Sequence, residues 1–268
     1  MISPLAYIHP NAKIGNDVTI EPFAVIQDKV SIGDNSHIMS HAVIDQYTTI
    51  GKHCRIFPGA VVGAIPQDLK FVGEESVVEI GDYTTIRECV TINRGTKDRW
   101  KTVIGNHCLL MAYSHVAHDC VLGNNVILGN AVQLAGHVTV DNYAILSGMA
   151  GAHQFAHIGE HTYIAGHTVI RKDVPPFIKA AREPLCFMGI NIVGLQRRGF
   201  TKEAIGEISD IYHTLYVEKN TTSSAIQNIE KNFEPSPIKE QILNFINNSK
   251  SGIIRRPSKT ATDADFTF

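Results

Sequence analysis

From Ile8 onward every sixth residue of the chain is aliphatic: Ile8, Ile14, Ile20, Ile26, Ile32, Ile38, Ile44, Ile50, Ile56 and Val62 follow without a break. The phase returns at Ile80, Ile86 and Ile92, then runs from Ile104 through Leu110, Val116, Leu122, Leu128, Leu134, Val140, Leu146, Ala152, Ile158 and Ile164 to Ile170, with Ala152 its weakest member. Four places after the aliphatic residue stands a small or β-branched one, as at Ala12, Val18, Ala24, Val30, Ser36, Ala42, Thr48 and Ala60. A period of six is neither the 3.6 of a helix nor the 2 of a plain strand. It predicts a solenoid with one short strand and one corner per hexapeptide, three hexapeptides closing a triangular coil of 18 residues with the aliphatic side chains inward. Stacked coils place residue i beside residue i+18 at a strand spacing of about 4.8 Å. Glycine often follows the aliphatic residue (Gly15, Gly33, Gly51, Gly63, Gly81, Gly105, Gly123, Gly129 and Gly159) and is expected to relieve the backbone at tight places.

Two stretches, 63–79 and 93–103, lack the inward aliphatic residues and are predicted to leave the coil as loops; Gln67, Asp68, Lys70, Asn93, Arg94 and Trp100 give them a ligand-facing composition. Pro175 and Pro176 are expected to stop strand pairing. Beyond them the pattern turns helical: Thr201 can cap a helix through 202–219, with Ile205, Ile208, Ile211 or Tyr212 and Leu215 on one face, and further helices are expected over 223–233 and 236–247. The fold class is an all-β parallel β-helix over 1–190 followed by a small α-helical domain over 191–268, with a disordered tail from about residue 255.

Composition narrows the function. The 268 residues carry 24 basic and 26 acidic side chains, with a pI near 6.7, which argues against a general nucleic-acid binder. No apolar run is long enough for a membrane span, and the start of the chain lacks the basic and apolar regions of a signal peptide, so a cytoplasmic protein without stable membrane insertion is expected. Five cysteines without CxxC spacing fit that compartment. Between Arg171 and Lys202 seven basic residues (Arg171, Lys172, Lys179, Arg182, Arg197, Arg198, Lys202) face only Asp173 and Glu183; this local surplus suits an acidic protein partner.

Of the 13 histidines, eight crowd residues 107–167. No two are five apart, which disfavours the His-x4-His zinc site of some hexapeptide-repeat enzymes, and no metal or other cofactor is expected. The register rule points elsewhere: 118, 136 and 154 are 18 apart, so His118, Asp119, Gly136, His137, His153 and Gln154 are predicted to share one outward strip. A neutral imidazole at His118 can take a hydroxyl proton, Asp119 can hold its tautomer, and Gly136 leaves an amide approachable by an oxyanion. That is a plausible acyl-transfer site. Cys54, Cys108 and Cys120 fall at the small inward position and are expected to pack inside, which leaves direct transfer in preference to an acyl-cysteine.

The motifs IHPNA, QDLKF, TINRGT, HVAHDC, LAGHV, HQFAHIG, DVPPF, GINIVGL and RRGF together resemble the UDP-N-acetylglucosamine O-acyltransferases that open lipid A synthesis in Gram-negative bacteria. The resemblance implies a left-handed coil, a homotrimer with sites between subunits, a UDP-sugar acceptor and an (R)-3-hydroxyacyl group delivered by acyl carrier protein. It implies His118 as general base, Asp119 as its orienting partner and Gly136 as oxyanion donor. Gln67, Asp68, Lys70, His115, His137, His153, Gln154 and Asn191 match substrate-binding positions, Arg197 and Arg198 match basic residues near nucleotide and carrier, and Gly166 matches the position that measures acyl length. Asn93 and Pro184 stand where relatives often have histidine. Two alternatives stay open: an N-acyltransferase on a related UDP-amino sugar, ranked lower because those enzymes carry an extra N-terminal domain whereas here the repeat begins by Ile8, and a non-catalytic trimeric scaffold.

Overall fold

Each hexapeptide contributes a strand of two residues whose second member is the aliphatic one, as in Val25–Ile26 and Val43–Ile44. In the computed structural model, which describes residues 1–218 and 221–256, these strands build three sheets of nine, eight and ten strands, and as far as Val169–Ile170 every third strand of the chain joins the same sheet. The register is the expected one, Ile8 beside Ile26 and Leu128 beside Leu146. From Ile20 onward the aliphatic residues are buried, and so are the small residues four places on, such as Ala24, Val30 and Ala42, while Ile8 and Ile14 at the first coil are partly buried. Both therefore fill the triangular interior, each large aliphatic contributing about 1.5–3 kcal/mol by leaving water.

Several expectations change in detail. Ile2, one period before Ile8, already bridges Ile20. The backbone turns through the left-handed region at the corners, three places after the aliphatic residue, mostly at non-glycine residues such as Asp17, His53, Asp119, His137 and His161 and once at Gly59. The glycine after the aliphatic residue does sit at a tight place: a Cβ at Gly33 would lie 2.6 Å from the backbone of Gly51 on the next coil. The two prolines do not end the pairing. They sit at a corner, where no ladder N–H is needed, and Ile178–Ala181 still pairs in parallel with Tyr163–Ile164 before the antiparallel strand Cys186–Ile190 closes the edge. The two insertions are narrower than expected, because their bases pair: Val77–Ile80 runs beside Lys101–Ile104, leaving 65–76 and 94–100 outside the strands.

Four helices follow: α1 (Ile192–Arg197), α2 (Lys202–Tyr216), α3 (Thr222–Asn232) and α4 (Pro237–Asn248). Thr201, Thr221 and Ser236 cap the last three by accepting from the amides of Ala204, Ser224 and Lys239. Ile208, Ile211, Tyr212 and Leu215 of α2 are all buried, and the Tyr212 hydroxyl donates to the Pro176 carbonyl at 2.6 Å, fastening the helices to the last coil. Helix α1 was not foreseen in the pattern. Arg255 and Arg256, where the tail was expected to begin, are held: Arg255 bridges Cys186, and Arg256 Nη1 donates to the Tyr216 carbonyl at 3.4 Å. Residues 257–268 of that expected tail lie outside the described residues. Among the described residues no helix is long and apolar enough to cross a membrane.

Candidate active site

The coil following the strand His115–Val116 turns at His118 and Asp119, and the second insertion folds back over that corner. Asp119 is fully buried. Its Oδ1 accepts from the amides of Thr96 (3.0 Å) and Arg99 (3.2 Å), and its Oδ2 accepts from the Thr96 hydroxyl (2.6 Å). Arg99 Nη1 donates to the Asp119 carbonyl at 2.9 Å, and the Asp119 amide donates to Thr102 Oγ1 at 2.9 Å. Burial pushes this carboxyl up, but the bonds from Thr96 and His118 outweigh it, and the net shift is below the usual carboxylate range.

His118 Nδ1 lies 2.8 Å from Asp119 Oδ2. Against an ionised carboxylate Nδ1 carries the proton, which leaves Nε2 as an acceptor. Nε2 faces Gly136 on the next coil, where a Cβ would come within 2.7 Å of it. The strand pairings His115 with Gln133 and Gln133 with Gly151 fix this register. Among the described residues the Gly136 N–H donates to no acceptor, while the neighbouring amides of Ala135 and His137 are spent on Ala152 O and His118 O.

An open cleft of about 460 Å³ runs along this strip, lined by His115, His118, Gly136, His153, Gln154 and, from the first insertion, Gln67. Ala152, the weak member of the aliphatic series, also lines it. His115 Nδ1 pairs with Thr91 Oγ1 at 2.7 Å, and burial pushes its imidazole down, towards the neutral form. His137 lies behind the corner rather than in the cleft. Its ring stands edge-on to His118 and stacks on Phe155 at 4.5 Å, and burial pushes it down despite the attraction of Asp119.

The remaining expected residues lie away from the cleft of this chain. Asp68 accepts from the Lys70 amide at 3.0 Å in a local turn of the first insertion. Gly166 is on another corner, where a Cβ would meet Gly148 O at 2.8 Å. Asn191 is buried as the N-cap of α1 and donates to His161 O at 2.9 Å. Arg197 is exposed at the end of α1, and Arg198 donates to Tyr143 O at 3.0 Å. Conversely, Thr96 and Arg99, which grip Asp119, were not singled out in the sequence. Asn93, expected in a ligand-facing segment and also noted as a departure from relatives, does line the cleft, donating to Ile65 O at 3.0 Å while its Oδ1 stays buried without a partner.

Ligand atoms of His118, Asp119 and His137, one from each, lie within 4.8 Å of one another, a grouping that could hold a metal ion and that no spacing along the sequence announced. His118 Nδ1 and Asp119 Oδ2 already bond to each other, and Asp119 Oδ2 also takes the Thr96 hydroxyl. That geometry suits an Asp–His dyad. Cys120 is no rival nucleophile: its thiol points to Ala135 O at 3.2 Å inside the coil, and burial pushes it up to about 12.

The bacterial transferase hexapeptide family (six repeats) matches residues 11–46 and 101–136, and the family described as UDP N-acetylglucosamine O-acyltransferase, domain 2, matches residues 173–254. The acyl-[acyl-carrier-protein]–UDP-N-acetylglucosamine O-acyltransferase of Aliivibrio salmonicida is 46% identical over 95% of this chain and 100% of its own. The chain belongs to the UDP-N-acetylglucosamine O-acyltransferase family. Two solved relatives in this family have the same architecture. The UDP-N-acetylglucosamine acyltransferase of Bacteroides fragilis is 51% identical with a TM-score of 0.92, over 95% of this chain and 100% of that one. That of Francisella novicida is 39% identical with a TM-score of 0.93 over the whole of both chains. The solenoid is thus the family's left-handed parallel β-helix with a small helical domain.

Proposed function

We infer that the chain transfers an (R)-3-hydroxyacyl group from acyl carrier protein to the 3-hydroxyl of UDP-N-acetylglucosamine, the opening step of lipid A synthesis. The observation that carries the mechanism is the aligned series Asp119, His118 and the free Gly136 amide on adjoining coils. His118 Nε2 takes the proton of the sugar hydroxyl, and that oxygen attacks the thioester carbonyl. The Gly136 N–H donates to the oxyanion of the tetrahedral intermediate. The carbon–sulfur bond then breaks, and the carrier thiolate recovers the proton from His118. The acyl group passes directly to the sugar and no cofactor takes part. Gln67, His115, His153 and Gln154 are in reach of substrate in the cleft.

Asp68, Lys70, Gly166, Asn191, Arg197 and Arg198 do not line the His118 cleft within one chain, which favours a homotrimer in which a neighbour brings some of them to the site. The basic surplus over 171–202 suits the acidic carrier, and a cytoplasmic location suits both substrates. Purified protein with UDP-N-acetylglucosamine and hydroxyacyl carrier protein is expected to form a 3-O-acyl product and to run at the mass of three chains in light scattering. A product acylated at nitrogen on a 3-amino analogue alone, or no product with any carrier, rejects the reading.

Thr96 is a positioning residue that acts through Asp119. In Thr96→Val kcat is expected to fall about tenfold with KM within twofold, as loss of a hydrogen bond to a charged group implies. Without that donor the Asp119 carboxyl, which Thr96 helps to hold down, moves up, so the acid limb of the pH profile moves to higher pH. Thr96→Ser restores both; an unmoved limb assigns Thr96 to loop packing alone.

A further inference from the structure

Arg94 is a buried cation that the mechanism does not use. It follows directly on the strand Thr91–Asn93, is 7% exposed, and forms no ion pair among the described residues. Its Nε is buried without a hydrogen-bond acceptor. In place of a carboxylate it has two aromatic rings. Its guanidinium carbon lies 5.1 Å from the ring centroid of Tyr47, on the coil, and 5.4 Å from that of Phe71, in the first insertion. A guanidinium is weakly hydrated and ring faces are negative, so a stack withdrawn from water holds firmly. Lys29 also reaches the insertion, through Glu75 at 3.7 Å, but both side chains are exposed and such a pair holds little.

The insertion needs holding because it brings Gln67 to the cleft. Its own bonds are few: the amides of Lys70 and Phe71 donate to Asp68 Oδ1 and Asp68 O, both at 3.0 Å, and close a turn over 68–71. Leu69 and Val72 are exposed, so Phe71 is the side chain that seats this turn. Two consecutive residues of the coil thus grip the insertion on either side of Gln67. Before it, Asn93 Nδ2 donates to Ile65 O at 3.0 Å; after it, Arg94 lies over Phe71. We propose that Arg94 is a positioning residue for the acceptor: by holding Phe71 it seats the 68–71 turn, and the turn sets Gln67 against the sugar nucleotide. The proposal rests on the reading above that Gln67 meets that substrate. The base is held separately. Gly95 is fixed by its amide on Val77 O at 3.3 Å and by the Ser76 hydroxyl on its carbonyl, and Thr96 keeps its own bonds to Asp119. Loss of the Arg94 stack is therefore expected in acceptor binding, and loss of the Thr96 bond in kcat.

The test measures calorimetric binding of UDP-N-acetylglucosamine without donor, and then both KM values, in full-length Arg94→Met, Phe71→Leu and the double variant. Methionine keeps the stem without the charge, and leucine keeps the bulk without the ring. Each single variant is expected to raise Kd and KM for the sugar nucleotide about tenfold, with kcat and the KM for the acyl carrier within twofold. The double variant is expected to be no worse than either single one, because the two residues share one contact. In a Gln67→Ala background Arg94→Met adds less than twofold, and Phe71→Tyr, which keeps a ring, binds as the parent does. Phe71 is half-buried in the insertion, so Phe71→Leu keeps the test decisive should Arg94→Met not fold. An unchanged Kd in a folded single variant overturns the proposal, as do effects that multiply in the double variant, or a fall in kcat and melting temperature with Kd intact, which assigns Arg94 to coil stability alone. A parent that binds the sugar nucleotide but transfers no acyl group sinks the acyl-transfer reading and leaves Arg94 to be judged on Kd; a parent that does not bind it overturns both.

Discussion

In His118→Ala, kcat/KM for hydroxyacyl transfer is expected to fall by about 10³-fold, within the range that removal of a general base produces. The size of the effect follows from what remains. Asp119 keeps both bonds from Thr96 and the amide of Arg99, so the corner survives and no other base takes over. His115 is the nearest candidate along the cleft, but its Nδ1 is engaged by Thr91. His137 is turned behind the corner. The loss is therefore expected in kcat, with KM for the sugar nucleotide little changed and the melting temperature within a few degrees of the parent. The ladder histidines provide the control. His53 and His107 stack on either face of Tyr83 at 4.6 and 4.9 Å on a corner without a cleft. Replacing either by alanine is expected to lower the melting temperature and leave turnover intact. A His118→Ala enzyme with more than a tenth of parental activity removes the base from the mechanism.

Gly136→Ala is expected to cost about 10² to 10³ in kcat/KM without unfolding the chain. The backbone at Gly136 is not in the left-handed region, so alanine meets no conformational penalty there. Space is the obstacle: the new methyl group would lie 2.6 Å from His118 Cε1 and 2.7 Å from Nε2. One side must move, and His118 is pinned through Nδ1 to a carboxylate that is itself held from three directions. Either the imidazole loses its bond to Asp119 or the Gly136 amide turns from the reacting carbonyl, and both outcomes strike the transition state more than substrate binding. A near-normal rate with an unchanged fold disconnects Gly136 from the chemistry. By contrast, alanine at Gly151, where a Cβ has 3.9 Å to its nearest neighbour, has room.

Much of the molecule was legible in advance because its core is a one-dimensional pattern. An inward aliphatic residue every six positions fixes the strand, the corner and the neighbour 18 residues on, so Ile26, Ile44 and Val62 stack as counted. The same arithmetic put His118, Gly136 and Gln154 on adjoining coils. The family followed from motifs in the sequence, and the comparisons bear it out. Around the insertions the arithmetic loses its count: Ile50 lies beside Ile80 and Ile92 beside Val116, steps of 30 and 24 residues.

What only the tertiary structure decided lies at those interruptions and at the ends of the coil. The grip of Thr96 and Arg99 on Asp119 depends on where a non-repeating loop comes to rest, and a period describes only the residues that keep it. Glycine's place at close approaches such as Gly33 against Gly51 is a matter of distance between coils, which a single coil's sequence does not contain. The prolines at 175 and 176 lie at a corner because the coil happens to turn there. Arg255 reaches Cys186 through the return of a distant segment to the last coil. The sequence by itself determined the periodic core, its register and the strip on which the candidate chemistry sits, since these repeat the same local contact. The packing of the non-repeating segments against that core decided which charges are buried and which amides are free.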